Sequence, residues 1–239
     1  SLSDTYVVFD LETTGLSTNV HKIIEICAVK VTDGKIVDHF SQFVNPKVPI
    51  PFAIEELTKI RDDMVINEPE IDVVLPQFME FCKGCVMVAH NAEFDMGFIR
   101  KNCEDLGMDC DFTVVDTVAM ARYLLPNLNR FKLDTVAKAL NISLENHHRA
   151  VDDAKATAEI FVKFVEMLRG RDIENLDQLN EMSALNENMI KKLPTFHAII
   201  LAKNEVGRTN LYRLVSWSHI NYFAKRPRIP KSVLNQYRE

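Results

Sequence analysis

The stretch Tyr6-Val-Val-Phe-Asp-Leu-Glu-Thr-Thr-Gly15 indicates the fold, because a short apolar run ends there in two acids and a turn. Tyr6 to Leu11 are mostly β-branched or aromatic residues, which favours a buried strand. Asp10 and Glu12 are two positions apart, so they project from one face of such a strand. Two carboxylates so placed repel each other, and a bound divalent cation would remove that penalty. Taken alone, the pair is also typical of solvated acids at an exposed strand end.

Beyond this stretch, the sequence predicts a three-stranded meander followed by alternating strands and helices. Ile23 to Val31 and Ile36 to Val44 are β-rich runs, separated by Thr32-Asp-Gly-Lys35, whose Asp-Gly pair is typical of a tight hairpin. Two shorter strands are expected at 86–89 and 114–116. Helical spacing of apolar residues predicts helices at 53–60, 71–82, 93–106, 118–125, 133–140 and 150–168. This order indicates an α/β fold with a mixed five-stranded sheet flanked by helices.

Two later segments place acids at the starts of predicted helices. Asp95 follows the fourth strand and lies in a first helical turn, where the helix dipole favours an ionised carboxylate. Asn91 and Asp95 would equally serve as ordinary helix caps. His148 lies before the last long helix and Asp153 lies in its opening turns. Each segment alone is weak evidence for a functional site, but together the segments can converge above one edge of the sheet.

Three segments carry a family resemblance: Phe9-Asp-Leu-Glu-Thr-Thr-Gly15, His90-Asn-Ala-Glu-Phe-Asp95 and His148-Arg-Ala-Val-Asp-Asp153. They resemble, in order and spacing, the motifs of the DEDDh family, the DnaQ-like 3′→5′ exonucleases with a ribonuclease H-like fold. The match covers about residues 5–168. The family pattern places the histidine five residues before the last aspartate, which selects His148 with Asp153. Asp152 would be turned by about 100° on the helix.

The resemblance implies that Asp10, Glu12, Asp95 and Asp153 hold two metal ions and that His148 accepts a proton from the attacking water. Hard oxygen ligands without cysteine or histidine suit Mg²⁺ or Mn²⁺ rather than Zn²⁺. Further residues are expected to bind or orient the terminal nucleotide. These substrate-binding predictions are Thr13, Thr14, Gly15, Leu57, Thr58, His90, Asn91 and Phe94.

The residues predicted to bind substrate have different expected places around the terminal nucleotide. The backbone around Thr13, Thr14 and Gly15 is expected to border the nucleotide, with Gly15 permitting a close approach. His90 and Asn91 are expected to orient the site from behind. Phe94 would contact a base or sugar, or else pack in the core. The remaining histidines, including His21, are assigned to the surface or the core.

Cysteine usage and hydropathy indicate the compartment. Five cysteines without a secretory signal favour reduced thiols and a cytoplasmic location. Cys82-Lys-Gly-Cys85 has the spacing of half a zinc site, but no second pair completes it, so buried thiols are expected. The sequence contains no run of about 18 apolar residues, and no membrane span or membrane partner is expected.

The C-terminal part of the sequence differs in composition and charge. The net charge of -6 divides into -12 for residues 1–195 and +6 for residues 196–239. The stretches Thr195–Asn204, Asn210–Val215 and Tyr222–Pro230 resemble the PHP domain of PolC-type polymerase III α subunits, in which an exonuclease is inserted within that domain. This resemblance implies an exonuclease domain at 1–170, a helical or linker segment at 171–195 and a partial PHP-like segment at 196–239 of a longer chain.

The resemblance therefore implies a metal-dependent proofreading exonuclease that releases nucleoside 5′-monophosphates from a single-stranded or frayed DNA 3′ end. Its expected partners are the rest of a polymerase III α chain and replisome components such as the sliding clamp. Two alternatives are a 3′→5′ exoribonuclease with the same motifs and a catalytically silent scaffold. An acidic net charge argues against nucleic-acid binding at first. However, a site that grips a few nucleotides through metals needs no long basic surface.

Overall fold

The computed structural model describes residues 5–145 and 148–171. Within these ranges, five strands and seven helices follow one another along the chain. They are β1 Tyr6–Thr13, β2 Ile23–Thr32, β3 Lys35–Phe43, α1 Phe52–Thr58, α2 Asp62–Val65, α3 Ile71–Phe81, β4 Val86–Ala89, α4 Ala92–Asp105, β5 Val114–Asp116, α5 Thr117–Leu124, α6 Leu133–Ala139 and α7 Ala150–Gly170. The expected elements are all present, with ends shifted by at most two residues. Helix α2 escaped prediction because four residues are too short to show a helical period.

The strands form one mixed sheet in the order β3-β2-β1-β4-β5. Strands β1, β2 and β3 pair antiparallel, whereas β4 is parallel to both β1 and β5. Asp33 and Gly34 have φ values of 51° and 76°. Positive φ at both central residues is what a tight hairpin requires, and it explains the Asp-Gly pair. The predicted α/β fold with a mixed five-stranded sheet is therefore confirmed.

An apolar layer covers each face of the sheet. Side chains alternate along β1, so Tyr6 and Val8 pack beneath α5, α6 and α7, whereas Val7 and Phe9 pack beneath α3 and α4. Each fully buried side chain of this size contributes roughly 1.5–3 kcal/mol to folding. Asp10 and Glu12 continue the face of Tyr6 and Val8, so both acids lie on the α7 side of the sheet.

Helix α7 changes character along its length. Its first half carries the small buried residues Ala150, Ala154 and Ala158, and the first two of these pack with Cys27 of β2. Its second half carries Phe161, whose ring lies 4.7 Å from that of Tyr6. Small side chains let a helix approach the sheet closely, and aromatic ones anchor it by burying large apolar areas. The beginning of α7 is thereby held beside the end of β1.

Several expectations fall on other parts of the chain. The segments predicted at 171–195 and 196–239 lie outside the described residues, apart from Arg171. The proposed division into three segments therefore stays a prediction. Of the helices described at 5–145 and 148–171, not one combines the length and the apolar character needed to cross a bilayer.

Candidate active site

Three carboxylates from two distant elements meet at the end of β1. Oxygen atoms of Asp10, Glu12 and Asp153 all lie within 4.8 Å of one another. Glu12 and Asp153 are buried, and Asp10 is partly exposed. The strand supplies Asp10 and Glu12 because residues two apart share a face, and α7 supplies Asp153 from its first turn. Asp153, rather than Asp152, joins this group.

Asp95 supplies a fourth acid from the opposite side of the sheet. It lies in the first turn of α4, is 2% exposed, and accepts a hydrogen bond from the Leu11 backbone N–H at 3.2 Å. Leu11 lies between Asp10 and Glu12, so this bond fixes the Asp95 carboxylate against the segment that carries the other two acids. The structure thus brings together all four acids that the sequence singled out.

Burial and mutual repulsion dominate the electrostatics of this acid cluster. Burial raises the pKa of Asp10 well above its ordinary value, and the charges of Asp95, Asp153 and Glu12 raise it further. The pKa of Glu12 is raised well above its ordinary value by burial and then by Asp153. Burial likewise raises the pKa of Asp95, although the Leu11 N–H opposes the shift. Such a cluster is costly to keep ionised without a bound cation.

The donor set fits a hard divalent cation. Its members offer carboxylate oxygen only, which suits Mg²⁺ or Mn²⁺ better than Zn²⁺. Across residues 5–145 and 148–171, Asp10, Glu12 and Asp153 form the group whose geometry could hold a metal ion. Cys82 and Cys85 are buried, and burial raises the pKa of the Cys82 thiol well above its ordinary value.

Asp116, which the sequence analysis did not single out, organises the turn that carries Asp95. Asn91 adopts a left-handed backbone with φ 66° immediately before α4. The backbone N–H groups of Asn91 and Val118 donate to one oxygen of Asp116 at 3.0 and 2.9 Å. The Asn91 side chain makes no capping bond, contrary to the alternative of ordinary capping. An aspartate between a strand and a helix is a typical N-cap, a signal that could have identified Asp116.

His90 lies behind the acids rather than among them. It is 6% exposed, and its Nε2 atom lies 2.7 Å from the Phe131 carbonyl oxygen, to which it donates. Its Nδ1 atom lies 2.8 Å from the Thr117 hydroxyl. These bonds connect the end of β4 to α5 and to the loop before α6. The geometry agrees with an orienting role for His90, which stays a prediction.

His148 occupies the turn that leads into α7. Its backbone is left-handed, with φ 73°, and its side chain is partly buried. Such a conformation is uncommon for a residue with a Cβ atom and is maintained only where surrounding contacts fix it. The turn places His148 at the same end of α7 as Asp153. Its role as proton acceptor stays a prediction.

The two threonines after Glu12 use their hydroxyl groups to close the following loop. Thr13 is fully buried and donates to the Gly15 carbonyl at 2.6 Å. The Thr14 hydroxyl accepts from the Lys22 N–H at 2.9 Å, and the Thr14 N–H donates to the Lys22 carbonyl at 2.8 Å. Nucleotide contact through this segment would therefore involve its backbone, and it stays a prediction.

Three other predicted contacts differ in their surroundings. Thr58 is fully buried; its hydroxyl donates to the Ile54 carbonyl at 2.8 Å and accepts from the Ile60 N–H at 3.2 Å. Phe94 packs edge-on against Phe98 in the core, which was the alternative expectation for it. Leu57 is partly exposed. Of these three, Leu57 alone offers a side chain to solvent, and direct contact by Thr58 would require α1 to rearrange.

Gly15 is required by its histidine neighbour. A Cβ atom on Gly15 would lie 2.5 Å from two atoms of the His21 ring, far inside van der Waals contact. The ring is held in place because His21 Nδ1 accepts the Ser17 N–H at 3.0 Å. A side chain of the same loop thus approaches this glycine closely, and the expected contact between Gly15 and a nucleotide stays a prediction.

Gly15→Ala is expected to destabilise the protein by about 2 kcal/mol through overpacking. Thermal denaturation measures the change, with Gly170→Ala as the control because a Cβ there meets nothing within 4 Å. His21→Asn, which keeps a hydrogen-bond acceptor on a smaller side chain, should restore most of the loss in a double variant. An undiminished cost of Gly15→Ala in the His21→Asn background would show that the ring is not the obstacle.

An all-carboxylate site at the end of a mixed sheet is typical of metal-dependent nucleases of the ribonuclease H-like fold. Solved structures share this architecture. Exonuclease X in complex with 5′ overhanging duplex DNA is 27% identical, with a TM-score of 0.54 over 68% of this chain and 92% of that one. The nuclease domain of 3′hExo, a DEDDh family member bound to rAMP, is 21% identical and shares the fold, with a TM-score of 0.63 over 70% and 94% of the two chains.

Residues 7–161 match the family model described as exonuclease, so the chain belongs to the exonuclease family. The predicted enzyme class, a 3′→5′ exonuclease hydrolase, is confirmed. The chain also matches a DNA polymerase III PolC-type of Clostridium perfringens, with 58% identity over all of this chain and 16% of that protein. A second PolC-type relative, from Caldanaerobacter subterraneus, is 48% identical over 17% of its length. The chain thus spans about a sixth of these relatives.

Proposed function

We propose that this chain is the proofreading 3′→5′ DNA exonuclease domain of a bacterial replicative polymerase III α subunit. The observation that carries the proposal is the convergence of Asp10, Glu12, Asp95 and Asp153 at the end of β1. The relatives support the polymerase context, since 58% identity extends over the whole chain. A buried four-acid cluster destabilises a metal-free protein, so its presence argues for catalysis rather than for a scaffold.

In the proposed reaction, a terminal phosphodiester is hydrolysed. The four acids would hold two Mg²⁺ or Mn²⁺ ions, which supply a nucleophilic water and stabilise charge on the leaving 3′-oxygen. His148 accepts the proton of the attacking water, a task suited to an imidazole that titrates near neutrality. The bond between phosphorus and the 3′-oxygen breaks. One nucleoside 5′-monophosphate leaves, and the shortened strand keeps a 3′-hydroxyl.

The residues around the acids would act at two distances from the substrate. The backbone of Thr13, Thr14 and Gly15 would border the terminal nucleotide, with Leu57 on the exposed side of α1. The buried residues Thr58, His90 and Phe94 would support this surface from behind, together with the partly buried Asn91.

The proposal extends to partners and context. Residues 1–170 would form the exonuclease domain, 171–195 a linker, and 196–239 part of a PHP-like domain. The substrate would be a single-stranded or frayed DNA 3′ end. The partners would be the PHP and polymerase domains of the α chain and replisome components such as the sliding clamp, in the cytoplasm.

The direct test is digestion of 5′-labelled single-stranded DNA by the protein with Mg²⁺ or Mn²⁺. We expect stepwise shortening from the 3′ end with release of nucleoside 5′-monophosphates. On a primer-template, removal of a mismatched terminal nucleotide should be faster than removal of a paired one. An equal-length RNA is the comparison substrate. Faster digestion of RNA would replace the proofreading proposal with the exoribonuclease alternative, and no digestion of either would refute both.

His148→Ala is expected to lower kcat by about 10²- to 10⁴-fold, the usual contribution of a general base. The affinity for Mn²⁺, measured by calorimetry, should stay unchanged because the four acids remain. His39→Ala is the matched control, since His39 is an exposed histidine on β3. A variant that lost Mn²⁺ binding together with activity would instead make His148 part of the metal site.

A further inference from the structure

A fifth buried acid lies next to the four already described. Glu25 on β2 is directly opposite Glu12 in the antiparallel register and is 2% exposed. Its Oε1 atom accepts the Ala150 N–H at 3.2 Å, and its Oε2 atom lies 3.4 Å from Nη2 of Arg149. One carboxylate on the sheet therefore holds two consecutive residues at the start of α7. These contacts join positions 124 and 125 residues apart in the sequence.

Arg149 is fixed from two neighbouring strands. Its guanidinium carbon lies 5.8 Å from the centre of the Phe43 ring, and Phe43 is paired with Glu25 in the β2–β3 register. An ion pair and a cation–π contact thus converge on one side chain. Arg149 also lowers the pKa of Glu12, so its positive charge acts on the acid cluster. Arg149 immediately follows His148 in the chain.

A contribution to stability alone does not explain why a buried carboxylate is present at Glu25. Burial raises the pKa of Glu25, and Arg149 and the Ala150 N–H only oppose that shift. Its negative charge also raises the pKa of Asp10 and of Glu12. A buried ion pair of this kind contributes little net stability, but it does fix one geometry. The geometry fixed here is the left-handed turn at His148.

The two functional residues near this contact depend on it differently. Asp153 lies inside α7, where its N–H donates to the Arg149 carbonyl at 3.0 Å and where Ala150 and Ala154 pack on β2. His148 lies outside the helix. Helix packing keeps Asp153 in place when the Glu25 charge is removed, whereas the His148 turn loses an anchor on its adjacent residue.

We propose that Glu25 and Arg149 are positioning residues that hold the His148 turn against the four-acid cluster. The proposal rests on the function proposed above, with His148 as proton acceptor. A displacement of about 1 Å at a reacting group is enough to cost about 10²-fold in rate. Glu25 and Arg149 therefore govern the chemical step without contacting substrate.

The first experiment compares steady-state kinetics of Glu25→Gln and Arg149→Lys with the wild-type protein. We expect kcat to fall by about 10- to 10²-fold in both variants, while KM for single-stranded DNA changes by no more than about twofold. In Arg149→Lys, which keeps its positive charge, the Mn²⁺ affinity should also stay within about twofold. The control is Glu70→Gln, because Glu70 forms an exposed ion pair with Lys47 at 3.7 Å. Loss of Mn²⁺ affinity in Arg149→Lys, which keeps the positive charge, would overturn the proposal, because the pair would then act through the metal-binding acids.

A double-variant cycle separates positioning from general support. If Glu25 acts through His148, then Glu25→Gln should cause no further loss of kcat in the His148→Ala background. Equal losses in both backgrounds would overturn the proposal. Arg149→Lys in the same cycle gives an independent answer if Glu25→Gln folds poorly.

A third measurement does not depend on catalysis. Hydrogen exchange at the Ala150 amide should become faster in Glu25→Gln, while exchange in the β1–β2 ladder stays unchanged. Unchanged exchange at Ala150 would overturn the positioning role even if the wild-type protein were active. Inactive wild-type protein with faster Ala150 exchange in Glu25→Gln would instead refute the proposed function and retain the anchoring contact.

Discussion

Asp10→Ala is expected to abolish exonuclease activity and to make the metal-free protein more stable. Activity should fall by about 10³-fold or more, since losing about 4 kcal/mol of charge stabilisation has that effect. Stability should rise because burial raises the pKa of Asp10 and the nearby charges of Asp95, Asp153 and Glu12 raise it further. Removing the carboxylate relieves that repulsion. Few substitutions at the end of a buried strand would show this combination.

The measurements for Asp10→Ala are digestion of single-stranded DNA and thermal denaturation in the presence of a chelator. The melting temperature should rise by a few degrees, because 1 kcal/mol corresponds to about 2–4 °C in a domain of this size. Asp38→Ala is the control, because Asp38 is an exposed acid on β3. A lower melting temperature, as for an ordinary cavity, would contradict the repulsion that the cluster implies.

Chelation is expected to remove activity completely and to give the protein an unusual pH dependence of stability. Asp10, Glu12 and Asp95 have raised pKa values when folded, whereas the ordinary values are 3.8 for aspartate and 4.5 for glutamate. Between the ordinary and the raised values, the folded state binds more protons than the unfolded state. The free energy of unfolding therefore falls as the pH rises through this window.

Metal should reverse this behaviour, because a divalent ion binds the ionised carboxylates. At 100 times its dissociation constant, a ligand stabilises the folded state by about 2.7 kcal/mol. Thermal denaturation from about pH 5 to about pH 8, with chelator or with Mn²⁺, measures both effects. With chelator the melting temperature should fall as the pH rises, and with Mn²⁺ that decline should vanish. A decline of equal slope under both conditions would disconnect the acids from metal binding. Asp10→Ala should flatten the slope in chelator.

The sequence was sufficient to predict the features that depend on a local pattern of residues. The β-branched run from Tyr6, the Asp-Gly hairpin at Asp33 and the spacing of apolar residues predicted the strands and helices. The motif acids were found because Asp10 and Glu12 share a strand face and because Asp95 and Asp153 begin helices. Each of these signals spans only a few residues, so neighbouring positions were enough to read it.

The features that were missed depend on partners that are distant in the sequence. Glu25 can be recognised as part of the site only when the β1–β2 register is known, because that register places it opposite Glu12. Its contact with Arg149 in turn depends on where the start of α7 packs. Asp116 acquires its role from the Asn91 turn, 25 residues earlier. The burial of Thr58 depends on how α1 packs against the rest of the protein. Short motifs do not show which distant residues will be in contact, because strand register and helix placement are set by the whole core.

The order of elements along the chain has a consequence for biosynthesis. Asp10 and Glu12 lie in the first strand described, whereas Asp153 lies in the last helix described and meets them only after about 140 further residues have been added. Contacts of such long separation form late in folding. A nascent chain whose α7 has not yet left the ribosome therefore lacks Asp153 in its acid cluster. The acid cluster is therefore complete only after α7 has been added to the chain.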